Sequence, residues 1–248
     1  MTVVLENIRK FVEKKVAKGK LNQIQCDEIL ARLSGTTDMA QAVKGVVMVV
    51  EAVFEKFELK KEIFTKLDAL CPPAVILASN TSTLSITSIA AVTKHPDRVI
   101  GTHYFSPVPA MRLVEVIRGK ETSDATANKT VEICRKFGKT PIVVKNIPGF
   151  IVNRFLCLIY NEAANMIARG DAGAEDIDQA MKLGCNWPMG ITEIIDLVGV
   201  DVCANAIDAM YQMTGEERYN PSPLFGKMLA EKKLGRKTGE GFYKYENK

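Results

Sequence analysis

A histidine and a carboxylate stand in two neighbouring apolar runs of the sequence. His103 lies near the end of the run 99–105, and Glu115 lies inside the run 113–117. A carboxylate is costly to bury without a partner, so Glu115 needs one. A His-Glu pair is a general-base arrangement, because the carboxylate fixes the imidazole tautomer and stabilises the imidazolium formed when a proton is taken. Considered alone, His103 is better explained as a core histidine bonded to a backbone carbonyl, and the presence of Glu115 improves the case for a base.

Small polar side chains follow the predicted strand 75–78. Residues 79–83 read Ser-Asn-Thr-Ser-Thr, and for most of them capping the helix that starts near Ser85 is the simpler interpretation. Open α/β sheets bind ligands at the C-terminal ends of their strands. We therefore predict that one or two of these side chains face the same crevice as His103.

Five further polar residues have ordinary structural explanations. Glu51 and Glu55 suit the start of a helix, where the dipole favours negative charge, and Lys60 suits a solvated helix face. His95 lies in a Lys-His-Pro loop without a comparable partner, and no role is assigned to it. Asn153 is predicted one turn into a long helix among apolar residues, so its amide needs partners from substrate or a neighbouring loop.

Strands and helices alternate up to residue 147 and then give way to helices. Strand 45–51 is a continuous apolar run, typical of a strand buried on both faces of a parallel sheet. From Pro148, a favourable first helical residue, the spacing is helical to residue 169, and glycines separate further helices. The pattern predicts an α/β domain at 1–147 and an all-helical domain at 148–248. The other predicted elements are helices within 1–33, 55–70, 85–92 and 123–137, and strands 75–78, 99–105, 113–117 and 142–144.

Composition excludes several classes of protein. The 248 residues are 47% hydrophobic and 25% charged, and a net charge of +4 is too small for a nucleic-acid footprint. Six cysteines without a C-x-x-C pair indicate reduced core thiols and no metal site. No apolar run approaches the ~20 residues that span a bilayer, so we expect a cytoplasmic protein without membrane contact. The glycine-rich stretch 235–241 follows no strand, so we interpret it as a turn rather than a phosphate loop.

Several longer motifs together carry a family resemblance. The chain resembles the L-3-hydroxyacyl-CoA dehydrogenases, including 3-hydroxybutyryl-CoA dehydrogenases, which are NAD-dependent enzymes of fatty-acid β-oxidation and short-chain hydroxyacyl-CoA metabolism. The resemblance covers nearly all of the sequence. It lies in VVEAVFEKFELKKEIF, ILASNTSTLSITSIA, VIGTHYFSPVPAMRLVEVI, PGFIVNR, EDIDQAMKLGCNWPMG and GRKTGEGFYKY.

The resemblance implies a role for each candidate residue. His103 would accept the proton of the substrate 3-hydroxyl, and Glu115 would orient it. Ser82 and Asn153 match positions that hydrogen-bond the reacting oxygen and the thioester. Three residues match positions at the nicotinamide-ribose end of NAD: Glu55, Lys60 and Asn80. The helical domain would close over the acyl chain of an acyl-CoA substrate and supply a homodimer interface.

The sequence departs from the family pattern in three places. Ser106 stands where members usually have asparagine, and Ile191 where they usually have proline. The family pattern also opens with a strand, a G-x-G-x-x-G turn, a helix and a second strand ending in an acidic residue, and the sequence holds no such turn. We therefore expect an N-terminally truncated Rossmann-type parallel sheet with one unpaired edge, and weakened binding of the NAD pyrophosphate.

Two functions follow from this sequence. The first is NAD-dependent oxidation of (S)-3-hydroxyacyl-CoA to 3-ketoacyl-CoA, favoured by the set His103, Glu115, Ser82 and Asn153. The alternative is a non-catalytic acyl-CoA-binding or dimerising module that has lost its NAD site. Binding of a CoA ester without binding of NADH would distinguish the second from the first. A structural partner of a multifunctional β-oxidation enzyme is a third possibility that no residue singles out.

Overall fold

Short helices lead into the sheet. The computed structural model describes residues 2–246, and it begins with α1 (Thr2–Ala17) and α2 (Gln23–Ala31). The Asn22 side chain accepts a backbone N–H in the first turn of α2, which satisfies one of the unpaired donors of that turn. The predicted N-terminal helices are confirmed, and a third helix, α3 (Met39–Ala42), follows them.

Five strands form one sheet in the order β1-β2-β3-β4-β5. The pairs β1–β2, β2–β3 and β4–β5 are parallel, as predicted, but β3 and β4 are antiparallel. Only residues 105–112 connect β3 to β4, and a parallel pair needs a crossover of a dozen residues or more. The strands are β1 (Met48–Glu51), β2 (Ile76–Ser79), β3 (Val99–Tyr104), β4 (Leu113–Arg118) and β5 (Thr140–Lys145).

The first strand lies at the edge of the sheet. β1 pairs with β2 on one side only, and among residues 2–246 no strand pairs with its other side. Val50 is consequently 42% exposed, and Val47 just before the strand is 67% exposed. The prediction that this strand is buried on both faces is therefore wrong. The predicted unpaired edge of the sheet is this strand, whose backbone N–H and C=O groups on one side can accept another strand.

Helices cover both faces of the sheet. α4 (Phe57–Leu70) and α5 (Ile86–Ala90) pack against one face, and α6 (Asp124–Lys136) packs against the other. Side chains of β2 alternate between these two apolar cores, since Leu77 belongs to the first and Ile76 to the second. The strands are therefore packed on both faces, and the polar residues Glu51, Ser79 and His103 at the C-terminal ends of β1, β2 and β3 are buried as well.

Five helices follow the sheet and share a separate apolar core. The predicted breaks are confirmed: Gly184 ends α8, and Gly170, Gly199 and Gly215 directly follow α7, α9 and α10. The helices are α7 (Val152–Arg169), α8 (Ala174–Gly184), α9 (Ile191–Val198), α10 (Val200–Thr214) and α11 (Pro223–Ala230).

The long helix begins four residues later than predicted. Residues 148–151 form a turn, and α7 starts at Val152. Gly149 and Phe150 both have left-handed backbones, with φ of +71° and +50°, so neither fits an α-helix. Phe150 is buried in the core between the sheet and α4 and α5. Tertiary packing of this side chain therefore overrides the helix-start signal of Pro148.

The glycine-rich stretch 235–241 is a turn, as predicted. It forms isolated bridges between Gly235 and Glu240 and between Glu240 and Lys244. The buried carboxylate of Asp196 on α9 accepts the backbone N–H groups of Phe242 and Tyr243, both at 3.0 Å. These bonds attach the C-terminal segment to the helical core.

The sequence predicts buried reduced cysteines, no metal site and no membrane-spanning segment. Five of the six cysteines are buried thiols, but Cys185 is exposed and so differs from the predicted core residue. Within residues 2–246, no cluster of three or more His, Cys, Asp or Glu side chains is arranged to hold a metal ion. In the same range, no helix combines the length and apolarity required to cross a membrane.

We expect Gly241→Ala to lower the free energy of unfolding by about 1–3 kcal/mol. A Cβ at this position would lie 2.0 Å from Oδ1 of Asp196, so the attached segment would have to move. Gly226→Ala in α11 is the matched control, because its Cβ would meet no atom within 4 Å. Urea unfolding of both variants measures the difference. Equal stability of the two would contradict this account of the C-terminal attachment.

Candidate active site

Antiparallel pairing of β3 and β4 brings the histidine and the carboxylate together. His103 and Glu115 are register partners, and Nδ1 of the imidazole lies 2.8 Å from Oε2 of the carboxylate. Both side chains are buried. Directly opposed residues on one face of an antiparallel pair are close neighbours, so a separation of twelve residues becomes direct contact.

The second oxygen of Glu115 binds the start of the long helix. Oε1 accepts the N–H groups of Ile151 at 2.9 Å and Val152 at 3.0 Å. Burial alone would raise the pKa of this carboxyl, but the bonds from His103, Val152 and Ile151 together hold its pKa below the ordinary value. One ionised carboxylate therefore orients the imidazole and also satisfies two backbone donors at the N-terminus of α7.

Ser82 and Asn153 complete the group of side chains around the imidazole. The Ser82 hydroxyl lies 3.1 Å from Nε2 of His103, on the side of the ring away from Glu115. Nδ2 of Asn153 donates to the backbone oxygen of Ser82 at 3.3 Å. Asn153 is the second residue of α7 and not one turn inside it, because the helix starts at Val152. All four candidate catalytic residues thus lie together.

A cavity of about 580 Å³ opens beside these residues. Its polar end is formed by Glu55, Ser82, His103 and Asn153, and the remaining wall comes mainly from apolar side chains of α7, α9 and α10. A concave, largely apolar site with a few converging polar groups is typical of a small-molecule site. The apolar part of the wall includes Leu156, Cys157, Tyr160, Val198, Val202, Ala206 and Ala209.

The three residues predicted at the cofactor end differ in their access to the cavity. Glu55 lines the cavity, and its side chain is 34% exposed. Lys60 is fully buried, and its ammonium contacts Glu51 at 2.8 Å, so the solvated-helix interpretation of Lys60 is wrong. Asn80 uses its amide oxygen to accept the N–H of Tyr104 at 3.0 Å. Glu55 is therefore the member of this group that directly faces the cavity.

Glu51 is a functional candidate that the sequence interpretation assigned to a helix N-terminus. It ends β1, is buried, and accepts hydrogen bonds from Lys60 and Ser79. The same signal that identified Glu115, a carboxylate ending or interrupting an apolar strand, was present in the sequence. The prediction that His95 lacks a partner is wrong, since its Nδ1 lies 3.2 Å from Oδ1 of Asp68, but this contact is away from the cavity.

Family comparisons match almost the whole chain. Residues 1–147 match the NAD binding domain of 3-hydroxyacyl-CoA dehydrogenase, and residues 149–245 match its C-terminal domain. The chain belongs to the 3-hydroxyacyl-CoA dehydrogenase family.

Individual members of the 3-hydroxyacyl-CoA dehydrogenase family are similar over most of their length. A probable 3-hydroxybutyryl-CoA dehydrogenase of Bacillus subtilis (strain 168) is 42% identical over 98% of this chain and 85% of its own. The mitochondrial hydroxyacyl-coenzyme A dehydrogenase of Homo sapiens is 44% identical over 97% of this chain and 77% of its own. The crystal structure of an (S)-3-hydroxybutyryl-CoA dehydrogenase from Ralstonia eutropha has a TM-score of 0.94 and 41% identity, and the match covers 98% of this chain and 85% of that one.

Membership of the 3-hydroxyacyl-CoA dehydrogenase family settles the class of the protein. The chain is an oxidoreductase with an NAD-binding, Rossmann-like domain followed by a helical domain, as the sequence predicted. Its relatives carry the names of enzymes that act on hydroxyacyl-CoA or hydroxybutyryl-CoA.

We expect Glu115→Gln to destabilise the protein at neutral pH by an amount that shrinks in acid. The folded-state pKa of Glu115 lies below its ordinary value of 4.5. The stability contributed by the ionised carboxylate is therefore fully present above about pH 4.5 and is lost as pH falls through the folded-state pKa. Urea unfolding of wild type and variant from about pH 7 to pH 3 measures the difference.

The matched control is Glu58→Gln, whose side chain on α4 is 80% exposed. Its effect on the free energy of unfolding should be small at each pH, because exposed ion pairs contribute little. A Glu115→Gln deficit that stays constant from neutral to acid pH would contradict the assignment of an ionised, hydrogen-bonded carboxylate.

Proposed function

We propose that this chain oxidises the 3-hydroxyl of an (S)-3-hydroxyacyl-CoA with NAD, and that His103 is the general base. The proposal rests on the different surroundings of the two ring nitrogens of His103. One ring nitrogen is 2.8 Å from the buried Glu115 carboxylate, and the other lies beside Ser82 at the wall of the cavity. A histidine held in this way has one nitrogen for orientation and one for chemistry.

The carboxylate determines which nitrogen acts as the base. Ionised Glu115 is acceptor-only, so the neutral imidazole carries its proton on Nδ1 and donates it to Oε2. Nε2 of His103 then carries the lone pair of the ring, to which the Ser82 hydroxyl can donate, and a substrate hydroxyl that binds at Nε2 can give its proton to it. The imidazolium that results is stabilised by the same carboxylate. The proton therefore ends on Nε2 while the C3–O bond becomes a carbonyl.

Ser82 and Asn153 would position the substrate oxygens. The Ser82 hydroxyl is 3.1 Å from Nε2, so an oxygen bound at Nε2 also lies within hydrogen-bond reach of Ser82. The Asn153 amide has two N–H donors, and its bond to the Ser82 backbone oxygen uses one of them. The second donor is available for the thioester carbonyl, while the apolar wall of the cavity takes the acyl chain.

Several residues fit the nicotinamide-ribose end of NAD. Glu55 lines the cavity close to Ser82, and a partly exposed carboxylate is a suitable acceptor for ribose hydroxyls. Lys60, which is buried, would support that position through its contact with Glu55. Asn80 is half-buried and lines a neighbouring cavity with Ala52 and Tyr104, so it could contact the cofactor directly. NAD, when bound, accepts the hydride that leaves C3. The absence of a G-x-G-x-x-G turn, and the weaker pyrophosphate binding expected from it, stay predictions.

Substitution of the base tests the proposed reaction. We expect His103→Gln to lower the rate of NADH consumption with acetoacetyl-CoA by about 10²–10⁴-fold, because the proton transfer loses its general acid–base group. The matched control is His95→Gln, since this histidine contacts Asp68 and does not line the cavity. The control should retain the wild-type rate. Equal rates for wild type and His103→Gln would contradict the role of His103.

Calorimetric titration separates this function from the binding-module alternative. The proposed dehydrogenase binds both acetoacetyl-CoA and NADH. Binding of the CoA ester without NADH would contradict the proposed oxidation and support a non-catalytic acyl-CoA-binding module. The proposal also includes a cytoplasmic location, as expected from the sequence, and a place for the reaction in fatty-acid metabolism, as the family resemblance implies.

We also propose two units, 1–147 and 148–248, and a homodimer formed through the second. The separate apolar cores support the division, although Phe150 packs in the core of the first unit. Residues 1, 247 and 248 lie outside the described residues. Large apolar side chains exposed on α7, α9 and α10 support the dimer, since such surfaces mark protein contacts. They include Phe155, Leu197 and Met213, which do not line the cavity beside His103.

We expect Leu197→Glu to shift the protein from dimer to monomer in sedimentation velocity. The side chain is 51% exposed and does not line the cavity, so a charge there should act on association and not on the site. Lys61→Glu, on an exposed position of α4 in the first unit, is the control and should leave the dimer intact. A wild-type protein that sediments as a monomer would contradict the homodimer.

A further inference from the structure

A buried carboxylate lies behind the site, out of contact with the cavity. Glu51 ends β1, and its oxygens accept from Lys60 Nζ at 2.8 and 3.0 Å, from Ser79 Oγ at 2.7 Å and from Val53 N at 2.6 Å. Glu51, Lys60 and Ser79 are all buried. Glu51 takes no part in the proposed reaction. Its burial as a charged group is nevertheless unfavourable unless charged and hydrogen-bonding partners surround it.

Lys60 joins this carboxylate to a second one that faces the cavity. Its ammonium lies 2.8 Å from Glu51 Oε1 and 3.3 Å from Glu55 Oε2. The single positive charge is thus shared between two carboxylates, and the shorter contact is to the buried one. Glu51 therefore determines how strongly Lys60 attracts Glu55.

Glu55 in turn fixes the loop that carries Ser82. Its Oε1 accepts the N–H of Ser82 at 2.8 Å and the N–H of Thr83 at 3.0 Å, together with the hydroxyls of Thr83 and Thr81. Burial would raise the pKa of this carboxyl, but the bonds from Thr81, Thr83 and Ser82 and the charge of Lys60 hold it below the ordinary value. Four donors from three successive residues converge on one oxygen.

The end of this chain of contacts is the imidazole. Ser82, whose backbone N–H is held by Glu55, places its hydroxyl 3.1 Å from Nε2 of His103. We propose that Glu51 is a positioning residue for His103, acting through Lys60 and Glu55 on the Ser82 loop. This inference deepens the proposed function, because it rests on the same histidine as the base.

Neutralising Glu51 should disturb the loop in a defined direction. In Glu51→Gln the side chain keeps its length and can still accept from Ser79, but it no longer offers a negative charge to Lys60. Glu55 is then the remaining carboxylate in contact with the ammonium, so the Glu55 carboxylate is drawn towards Lys60. Its bonds to the Ser82 loop lengthen, and the hydroxyl of Ser82 moves away from Nε2.

Imidazole NMR reads this displacement without any turnover. The chain has two histidines, so the ring signals of His103 are assigned by comparison with His95→Gln. We expect the His103 Nε2 and Hε1 signals of Glu51→Gln to shift in the same direction as those of Ser82→Ala, and by less. The signals of His95, which contacts Asp68, should stay in place and report an intact fold. Glu58→Gln, an exposed carboxylate change on α4, should shift neither histidine.

Two results would overturn the proposal. One is a Glu51→Gln spectrum with His103 at its wild-type position while Ser82→Ala moves it. The other is a Ser82→Ala spectrum without a shift, because the proposed contact would then be absent. If Glu51→Gln does not fold, Glu51→Asp withdraws the negative charge from Lys60 by one methylene and should give a smaller shift in the same direction. A wild-type His103 position in a folded Glu51→Asp variant would then overturn it.

Turnover distinguishes this inference from the proposed function. With acetoacetyl-CoA and NADH, Glu51→Gln should lower kcat and leave KM for the CoA ester near the wild-type value, because Glu51 does not line the cavity. A wild-type protein without activity would contradict the proposed dehydrogenase, while the NMR result would still decide whether Glu51 positions His103.

Discussion

The ionised carboxylate of Glu115 is the interaction on which the site depends. One of its oxygens holds the imidazole of His103, and the other holds two backbone donors at the start of α7. The strand pairing supplies the first contact and the turn before the helix supplies the second. Protonation or loss of this carboxylate would weaken both contacts, so the orientation of His103 and the position of the N-terminus of α7 depend on one side chain.

The cavity arises where two separately packed regions meet. The sheet region contributes Glu55, Ser82 and His103, and the helices contribute Asn153 together with a wall of apolar side chains. A cavity with one polar end and an apolar wall suits a substrate that carries a reacting oxygen at one end and an aliphatic chain at the other. The meeting of the two regions also explains why the polar residues come from distant parts of the sequence, such as Ser82 and Asn153, whose separation is 71 residues.

The contact between Glu115 and His103 could be predicted from the sequence, because burying a charged side chain without a partner costs free energy. Glu115 inside an apolar strand required a partner, and the strand pairing provides His103. The burial of Lys60 and the start of α7 could not be predicted in this way, because both depend on tertiary contacts. Lys60 has the spacing of an ordinary helix lysine, but it is buried against Glu51, the last residue of β1, which the sequence assigned to a helix N-terminus. The start of α7 was misplaced for the same reason, since Pro148 is a valid local signal that the packing of Phe150 overrides.

Phe150 also marks the point where the chain passes from one core to the other. Its side chain is enclosed in the core of the sheet region, while the helix that follows belongs to the other core. The first two amides beyond Phe150 are those bound to Glu115. The carboxylate that orients His103 therefore also joins the two cores at their point of connection, so a change in the packing of either core at this point would reach the imidazole through one side chain.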